Sequence, residues 1–332
     1  MLQLRIEEFG SPADVVRLEY AESPTAGSHE LVVAMEAAAV NPADLLLVRG
    51  YYGHRPALPA LVGSEGVGRV IAAGPGADPA RIGERVMILP ALRCGTWQDE
   101  VAVAEADAIT VDGDADALQL AMLGINPVTA DVLLEGFVDL PAGAWVAQTA
   151  GTSAIGACIA LLASQRGLRT ISVVRREEAV AEARATGADA VVVSGPTLAA
   201  QLRQVLGSDR ISLLLDGVAG DVVAGLAPWL VHGGTVVSYG GMSGAPLTIR
   251  PADLIFGDLR VRAFWQKHWL DTAPAAEIRA AYARLAPLVE SGALQVPVAA
   301  TYPLAEHRAA LAHAAEPGRA GKVLFVWPPS AS

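Results

Sequence analysis

The chain of 332 residues contains few cysteines and few aromatic side chains. The low cysteine content limits the disulfides and metal sites that it can form. It has two cysteines, Cys94 and Cys158, and phenylalanine, tryptophan and tyrosine make up 5% of its residues. Two cysteines exclude a disulfide framework and a cysteine-rich metal centre. We expect Cys158 to lie on a helix and to pack in the hydrophobic core. Cys94, beside Gly95, is either a pocket residue or packed within a loop.

Basic clusters and long apolar runs are also missing. The net charge is −11, and no aromatic–basic interleaving occurs, so we expect no nucleic-acid partner. Apolar runs end before the ~20 residues that a membrane helix needs, so no membrane partner is expected. The first residues, Met1 to Glu8, show neither a cationic apolar signal nor an Arg-rich transit pattern. We therefore expect a cytoplasmic protein.

With 52% hydrophobic and 18% charged residues, the composition is typical of a globular protein. The chain is long enough for two domains. Residues 1–120 carry short apolar strands between Gly- and Pro-rich turns. Examples are Glu30–Met35, Gly66–Ile71 and Glu84–Leu89. This spacing predicts a compact, barrel-like β domain.

A strand, a turn of small residues and a helix are predicted for residues 145–167. The turn has the spacing Gly151-x-Ser153-x-x-Gly156, which lacks the middle glycine of the usual dinucleotide fingerprint. Helix N-termini of this kind present backbone N–H groups to a pyrophosphate. An ordinary strand-to-helix turn of an α/β protein would look similar, so the motif alone leaves both interpretations open.

Apolar strands continue to alternate with helices up to residue 241, including a helix expected over 222–230 and a strand expected from Thr235. This alternation is typical of a parallel sheet covered on both faces. Such sheets bind ligands at the carboxyl ends of their strands. Asp216-Gly217 and Tyr239-Gly240-Gly241-Met242 are expected at those ends. The sequence thus predicts an α/β doubly wound unit after the β-rich domain.

The residue that ends the second strand of this unit indicates which cofactor it binds. An NAD site needs a carboxylate there for the ribose hydroxyls, whereas this chain has Arg175 followed by Arg176. Two guanidinium groups suit the 2′-phosphate of NADPH. A solvated surface pair is the alternative, and Glu177, directly after it, weakens the electrostatic argument.

Two tyrosines lie between glycines in the β-rich part. Tyr51 and Tyr52 follow an Asn41-Pro42 pair that we expect to open a helical turn. A tyrosine hydroxyl can donate a hydrogen bond to a carbonyl or act as an acid. The alternative is that both rings cap the barrel.

Eight segments in order along nearly the whole chain resemble the medium-chain dehydrogenase/reductase superfamily, and within it the zinc-free enoyl thioester reductases of the mitochondrial 2-enoyl reductase type, with quinone oxidoreductases as close relatives. They are Asn41–Asp44, Gly50–Gly53, Gly63–Val67, Gly95–Trp97, Leu123–Ala130, Arg169–Arg175, Tyr239–Met242 and Leu254–Trp265. The resemblance implies a GroES-like catalytic domain at 1–122 and 267–332 and a Rossmann domain at 123–266.

The resemblance also implies roles for individual residues. Tyr52 would face the carbonyl of an α,β-unsaturated thioester, carried by CoA or acyl carrier protein, that NADPH reduces. The residues that would bind NADPH are Asn126, Gly151, Thr152, Ser153, Ala154, Ile155, Gly156, Arg175, Arg176, Tyr239, Gly240, Gly241, Met242, Phe264, Trp265 and Lys322. The substrate pocket would comprise Asn41, Tyr51, Trp97, Trp265 and Trp269. Without the resemblance, Asn126 could equally be a turn residue, and Lys322 would be interpreted as a surface lysine.

Zinc is not expected, because Ser64 stands where zinc-dependent relatives carry a histidine, and Cys94 is the single cysteine near the place of their four-cysteine lobe. The chain departs from the reductases at Ala154, where they usually have glycine, and the family does not fix Arg49 or His54. These departures leave two other functions open: a reductase of quinones, small enones or haloacrylates, and a non-catalytic NADPH-binding protein. A homodimer is the family expectation, with an edge contact through residues 246–255 and the strand near 258–264.

Overall fold

A computed structural model describes residues 1–111, 114–319 and 321–328 of the chain. The chain forms two compact units: unit 1 comprises Met1–Ile125 and Leu270–Ser332, and unit 2 comprises Asn126–Trp269. Each boundary lies three residues beyond the position expected from the sequence, which was 122 and 266. In the described part of the chain, no helix has both the length and the apolar character required to cross a membrane.

The strands of unit 1 come first and last along the chain, and those of unit 2 lie between them. In chain order the strands are β1 (Leu2–Ile6), β2 (Val16–Tyr20), β3 (Glu30–Val40), β4 (Ala60–Leu61), β5 (Gly66–Ala73), β6 (Arg85–Ile88), β7 (Glu100–Ala104), β8 (Ala108–Thr110), β9 (Trp145–Gln148), β10 (Arg169–Val174), β11 (Ala190–Val193), β12 (Ile211–Asp216), β13 (Leu230–Ser238), β14 (Arg260–Ala263), β15 (Val298–Tyr302) and β16 (Lys322–Val326).

The helices are mostly short, and the longest belongs to the C-terminal part of unit 1. In chain order they are α1 (Pro12–Val15), α2 (Pro42–Val48), α3 (Ala117–Leu120), α4 (Asn126–Glu135), α5 (Ala154–Gln165), α6 (Val180–Ala185), α7 (Leu198–Leu206), α8 (Asp221–Leu226), α9 (Pro251–Phe256), α10 (Gln266–Thr272), α11 (Ala275–Glu290) and α12 (His307–Ala315). Short 3-10 turns connect several of them.

Unit 1 is built around β3, which pairs with β5, β7 and β16 in one seven-stranded sheet. Its path runs β15-β16-β3-β5-β6-β8, and a smaller sheet has the order β2-β1-β4. Alternate residues of β3, such as Leu31 and Val33, enter a core that also contains Trp97 and Phe325. The predicted β-rich domain is confirmed, and the last strand, β16, returns to it.

Unit 2 is a six-stranded parallel sheet with the order β11-β10-β9-β12-β13-β14. Every residue of β9 is buried, which explains why this strand has no polar alternation. The strand order reverses between β9 and β12, and this reversal is the position where such sheets bind ligands. The predicted doubly wound, Rossmann-type domain is therefore confirmed.

Two boundaries differ from those expected. Strand β13 begins at Leu230 rather than at Thr235, and the helix expected over 222–230 ends as α8 at Leu226, before a 3-10 turn. Pro228 lies in that turn and has no backbone N–H to continue the helix. Gly233 and Gly234 give the early part of β13 a loop-like composition, although both lie within the strand.

Candidate active site

The turn between β9 and α5 has the geometry of an anion site. Ser153 caps α5, and its hydroxyl accepts a hydrogen bond from the Gly156 N–H at 3.1 Å. Among the described residues, the backbone amides of Thr152, Ala154 and Ile155 take part in no hydrogen bond. Free amides at the start of a twelve-residue helix attract a phosphate through both their N–H groups and the helix dipole.

Small residues in this turn are required by close backbone approaches. A Cβ at Gly151 would lie 2.7 Å from the Cβ of Ser172 on β10, and one at Gly156 would lie 2.9 Å from the Ala150 carbonyl oxygen. Ala150 itself has φ = 57°, in the left-handed region that favours glycine. Ala154, where the reductases usually carry glycine, adopts ordinary helical structure as the first residue of α5, so its methyl group does not strain the turn.

Buried polar side chains hold the carboxyl ends of β9 and β12 in place. The Thr149 hydroxyl donates to the Asp216 carboxylate at 2.8 Å and accepts from the Gly217 N–H at 2.9 Å. The Asp216 carboxylate also accepts from the Ala219 N–H. These bonds replace water for a carboxyl group with no exposed surface, and they shape the loop after β12.

Tyr239, the first residue after β13, packs on this loop. A Cβ at Gly217 would lie 2.9 Å from the Tyr239 ring, so glycine is what permits the contact. The hydroxyl is buried and has no hydrogen-bond partner in the described residues. Burial and the nearby Asp216 charge raise the pKa of Tyr239 well above its usual value, which keeps the hydroxyl protonated.

Arg175 and Arg176 lie directly after β10, the position at which the sequence predicts contacts with a 2′-phosphate. Both side chains are exposed, and within the described ranges neither forms an ion pair or a side-chain hydrogen bond. Two unpaired guanidinium groups are thus available next to the strand that neighbours β9. Glu177 opens a 3-10 turn and does not neutralise either of them.

The other residues expected at the cofactor have varied surroundings within unit 2. Asn126 begins α4, is 7% exposed, and its Nδ2 atom has no hydrogen-bond partner among the described residues. Phe264 packs edge-on against Phe137 at 6.4 Å. Met242 and Trp265 are exposed, and Trp269 is half-buried.

Unit 1 contains a buried polar cluster, which consists of Asn41, Asp44, Ser64, Glu65 and Lys322. Asn41 caps α2, and its backbone N–H donates to Asp44 Oδ2 at 2.7 Å. The Ser64 hydroxyl donates to the other Asp44 oxygen. This arrangement accounts for the Asn-Pro pair: asparagine caps the helix and proline occupies its first position.

Asn41 links the two opposite charges of the buried polar cluster. Its Nδ2 donates to Glu65 Oε1 at 2.8 Å, and its Oδ1 accepts from the Lys322 ammonium group. Glu65 is 0% exposed and Lys322 is 6% exposed, so the lysine is not the surface residue that its sequence context allowed. Lys322 and Asn41, expected at the cofactor and at the substrate respectively, are therefore in direct contact.

Both carboxyl groups of the buried polar cluster titrate at unusually high pH. Burial raises the pKa of Asp44 to about 6, against the hydrogen bond from Ser64. Burial raises the pKa of Glu65 to about 7, while the Lys322 charge and the Asn41 amide oppose the shift. Desolvation disfavours the charged form of each acid more than its partners favour it.

Besides Asn41, three residues expected at the substrate lie in unit 1. Tyr52 is half-buried and Tyr51 is 81% exposed in the loop between α2 and β4. Trp97 has no exposed surface: its ring packs edge-on against Phe325 at 5.3 Å, and its Nε1 donates to the Ala39 carbonyl. Trp97 therefore belongs to the core of unit 1 and not to an open pocket as expected.

Both cysteines pack against apolar side chains, which indicates a structural role. Cys158 is buried on α5, as expected. Cys94 packs against the core of unit 1, and burial raises the pKa of its thiol to about 12. A thiol that stays protonated is a poor nucleophile, so the loop-packing interpretation of Cys94 is the one that fits.

Two family models cover most of both units. An alcohol dehydrogenase GroES-like domain matches residues 27–127, and a zinc-binding dehydrogenase model matches residues 186–324. A mitochondrial enoyl-[acyl-carrier-protein] reductase from Bos taurus is 34% identical over 93% of this chain and 84% of its own. The chain belongs to the enoyl reductase and quinone oxidoreductase group of the medium-chain dehydrogenase/reductase superfamily.

Solved structures of this superfamily share the whole fold. A mycobacterial quinone oxidoreductase has a TM-score of 0.86 with 25% identity, covering 98% of this chain and 100% of its own. An enoyl thioester reductase from Candida tropicalis, solved with NADP and crotonyl-CoA, has a TM-score of 0.82 with 26% identity, covering 98% and 99%. The superfamily resemblance expected from the motifs is thus confirmed, and the chain is an oxidoreductase of this group.

Several polar residues that lie among apolar neighbours in the chain were not predicted to be functional. Asp44 and Glu65 were recognised as parts of motifs but not as members of a site. Gln148 and Ser172 were treated as ordinary strand positions, although Gln148 Nε2 donates to Ser172 Oγ at 2.9 Å and to the Gly156 carbonyl behind the turn. A polar residue inside a fully buried strand was the signal that could have identified them.

Proposed function

We propose that the chain catalyses NADPH-dependent reduction of the C=C bond of an α,β-unsaturated thioester carried by CoA or acyl carrier protein. The observation that carries the proposal is the turn between β9 and α5, whose amides are free of hydrogen bonds to the described residues, combined with two arginines after β10 that pair with no described residue. The enoyl-[acyl-carrier-protein] reductase relatives support the reaction type.

The cofactor is argued from the residues that would hold it. The amides of Thr152, Ala154 and Ile155 would bind the pyrophosphate, and Arg175 and Arg176 would bind the 2′-phosphate through charge-assisted hydrogen bonds. The Nδ2 atom of Asn126, a buried donor with no partner among the described residues, would gain an acceptor from the bound nucleotide. The bound NADPH supplies a hydride to the β-carbon of the substrate.

Tyr52 is the residue we assign to the reacting carbonyl. Hydride addition places negative charge on the thioester oxygen, and a protonated phenol stabilises it by donating a hydrogen bond. Tyr52 then stabilises the enolate or delivers the α-proton, directly or through water.

The test is a Tyr52→Phe variant assayed with a 2-enoyl-CoA and NADPH. We expect kcat to fall by about 10²- to 10³-fold, as for loss of one donor at a developing oxyanion. Tyr20→Phe is the matched control, because Tyr20 is 87% exposed on β2, and it should keep the wild-type rate. A wild-type rate for Tyr52→Phe would remove the role given to the hydroxyl.

A quinone, small enone or haloacrylate reductase is the second candidate, favoured by the similarity to the mycobacterial quinone oxidoreductase. Both activities use the same cofactor site, so a substrate panel separates them: kcat/KM for enoyl-CoA should exceed that for quinones and simple enones. If NADPH binds but no acceptor in the panel oxidises it, a non-catalytic NADPH-binding role replaces both.

We propose that the reaction needs no metal ion. Ser64 occupies the position where zinc-dependent relatives carry a histidine, and its hydroxyl donates a hydrogen bond to Asp44. Across residues 1–111, 114–319 and 321–328, no group of three or more His, Cys, Asp or Glu residues is arranged to hold a metal ion. We expect prolonged chelator treatment to leave the rate of NADPH oxidation unchanged.

We further propose a homodimer formed through β14. This strand is the edge of the sheet of unit 2, and all four of its residues are exposed. Nearby α9 exposes Ile255 (68%) and Phe256 (80%). An exposed edge beside apolar side chains is suited to pairing with a second copy of the same strand. Sedimentation should give a dimer for the wild type and a monomer for Phe256→Glu.

A further inference from the structure

Gln148 is the last residue of β9, and it pairs directly with Ser172 of β10 in the parallel register. Its side chain has no exposed surface. Both N–H groups of its amide have an acceptor, because Nε2 donates to the Gly156 carbonyl oxygen at 2.9 Å and to Ser172 Oγ at 2.9 Å. One side chain thus ties the end of β9 to the first turn of α5 and to β10.

Gly156 is held at both of its backbone polar atoms. Its N–H donates to the Ser153 hydroxyl, and its carbonyl oxygen accepts from Gln148. Its Cα faces the backbone of the turn: a Cβ there would lie 2.9 Å from the Ala150 carbonyl oxygen and 3.1 Å from that of Gly151. A displacement of Gly156 therefore acts directly on the turn, because no side chain lies between them to absorb it.

Ser172 supports the same turn from the side of the sheet. A Cβ at Gly151 would lie 2.7 Å from Ser172 Cβ and 3.2 Å from Ser172 Oγ, and the Gly151 N–H donates to the Val173 carbonyl at 3.1 Å. The two acceptors of the Gln148 amide therefore belong to residues that both pack against Gly151, namely Gly156 and Ser172.

The Gln148 amide has one favourable orientation. The reverse orientation would place Oε1 against the Gly156 carbonyl oxygen, and two acceptors repel each other. In the observed orientation Oε1 is buried and has no hydrogen-bond partner among the described residues. Because a buried, unpaired carbonyl group costs free energy, an apolar side chain would suit this strand position at least as well for stability. The contacts of Nε2 thus indicate a role in the turn.

We propose that Gln148 is a positioning residue for the dinucleotide, which acts through Gly156 and Ser172 to hold the turn in the geometry that binds the pyrophosphate. The inference rests on the proposed function, under which that group is bound by the amides of Thr152, Ala154 and Ile155. Hydrogen bonds to a phosphate depend steeply on distance and angle. A turn that is held loosely therefore binds the pyrophosphate less tightly than one that is held firmly.

The experiment compares two ligands of the full chain. NADPH has the pyrophosphate and the 2′-phosphate, whereas adenosine 2′-monophosphate has the 2′-phosphate and no pyrophosphate. Gln148→Met removes both donated hydrogen bonds and keeps an unbranched side chain of similar size. We expect the Kd of NADPH, measured by calorimetry, to rise about 5- to 20-fold in this variant. The Kd of adenosine 2′-monophosphate, measured by displacement of NADPH, should stay within about 2-fold of the wild-type value.

Thr170→Val is the matched control. Thr170 is a buried polar residue near the amino end of β10, where its hydroxyl donates to Asp189, whereas the turn follows the carboxyl end of β9. The substitution removes a buried hydroxyl from the same sheet with little change of shape, so the Kd of each ligand should stay within about 2-fold of the wild-type value.

Equal weakening of both ligands in Gln148→Met would overturn the proposal, because it would indicate a general loosening of unit 2. An unchanged Kd of NADPH in that variant would overturn it as well. A wild type that binds no NADPH would instead contradict the proposed function.

Ser172→Ala keeps the proposal testable if Gln148→Met does not fold. It removes one acceptor of the Gln148 amide and keeps the Cβ atom that packs against Gly151. The Kd of NADPH should rise about 2- to 5-fold, with that of adenosine 2′-monophosphate unchanged. A Kd of NADPH equal to the wild-type value, or the same rise for both ligands, would count against the role of Gln148.

Discussion

Asn41 donates a hydrogen bond of 2.8 Å to Glu65 and, through the other atom of the same amide, accepts one from Lys322. One neutral side chain is therefore a hydrogen-bond partner of two buried ionisable groups that are far apart in the sequence. The pairing joins the start of α2 to the start of β16, so stability and the candidate site depend on the same amide.

Replacing Asn41 with leucine should lower the free energy of unfolding by about 2–3 kcal/mol, because two buried charged groups each lose a partner. Urea denaturation followed by circular dichroism measures this. Asn126→Leu is the matched control: it is the other asparagine of the chain, it is also buried, and its Nδ2 has no partner among the described residues. Asn126→Leu should lower the free energy of unfolding by less than Asn41→Leu does. Equal losses in the two variants would contradict the assignment of Asn41 as the partner of two buried charged groups.

Glu65 should make the folded protein less stable as the pH rises. Burial raises the pKa of Glu65 to about 7 in the folded state, whereas the unfolded chain has the ordinary value of about 4.5, so between these values the folded state binds more protons. The free energy of unfolding then falls with pH across this window, by roughly 1–3 kcal/mol from this group.

Glu65→Gln should flatten that dependence, because an amide does not titrate. Urea midpoints at pH 5 and pH 7.5 measure the difference for both proteins. The same slope in wild type and variant would show that Glu65 ionises in the folded state as it does in the unfolded chain.

Tyr239→Phe should leave the free energy of unfolding unchanged or raise it by up to about 1 kcal/mol. The hydroxyl is buried without a partner, so its removal abolishes a desolvation cost and breaks no hydrogen bond of the described structure. Thermal unfolding of the cofactor-free protein measures this. A loss of more than about 1 kcal/mol would indicate a hydrogen bond to that hydroxyl in solution.

Arg175→Ala should lower kcat/KM for NADPH by about 10- to 100-fold and leave the NADH value within about 2-fold of the wild type, because only NADPH carries the 2′-phosphate. Arg203→Ala, an exposed arginine on α7, is the control and should change neither value. An equal loss with both cofactors would mean that Arg175 acts on something other than the phosphate.

Most of unit 2 could be predicted from sequence because its information is local. Each strand is an apolar run, and the turn at Gly151 to Gly156 has small residues where the backbone of β10 approaches it. The start of β13 was predicted incorrectly because Gly233 and Gly234 have the composition of a loop. Leu230 pairs with Ile211 of β12, and the register then shifts before Thr235 pairs with Leu213.

The buried polar cluster was predicted only in part because its members meet through the fold. Asn41 and Lys322 come together since β16 pairs with the end of β3, a long-range pairing that no local pattern encodes. Trp97 was assigned to a pocket for the same reason. Beside Gly95 and Thr96 it looks like a loop aromatic, and its contact with Phe325 becomes apparent only when the strands are assembled.

NADPH oxidation by the purified protein in the presence of a 2-enoyl-CoA tests the central proposal most directly, with NADH as the control cofactor and quinones and simple enones as control acceptors. The account predicts rapid oxidation of NADPH by the enoyl thioester, formation of the saturated thioester, and much slower oxidation of NADH. Preference for NADH, or no reduction of any enoyl thioester while a quinone is reduced, would contradict it.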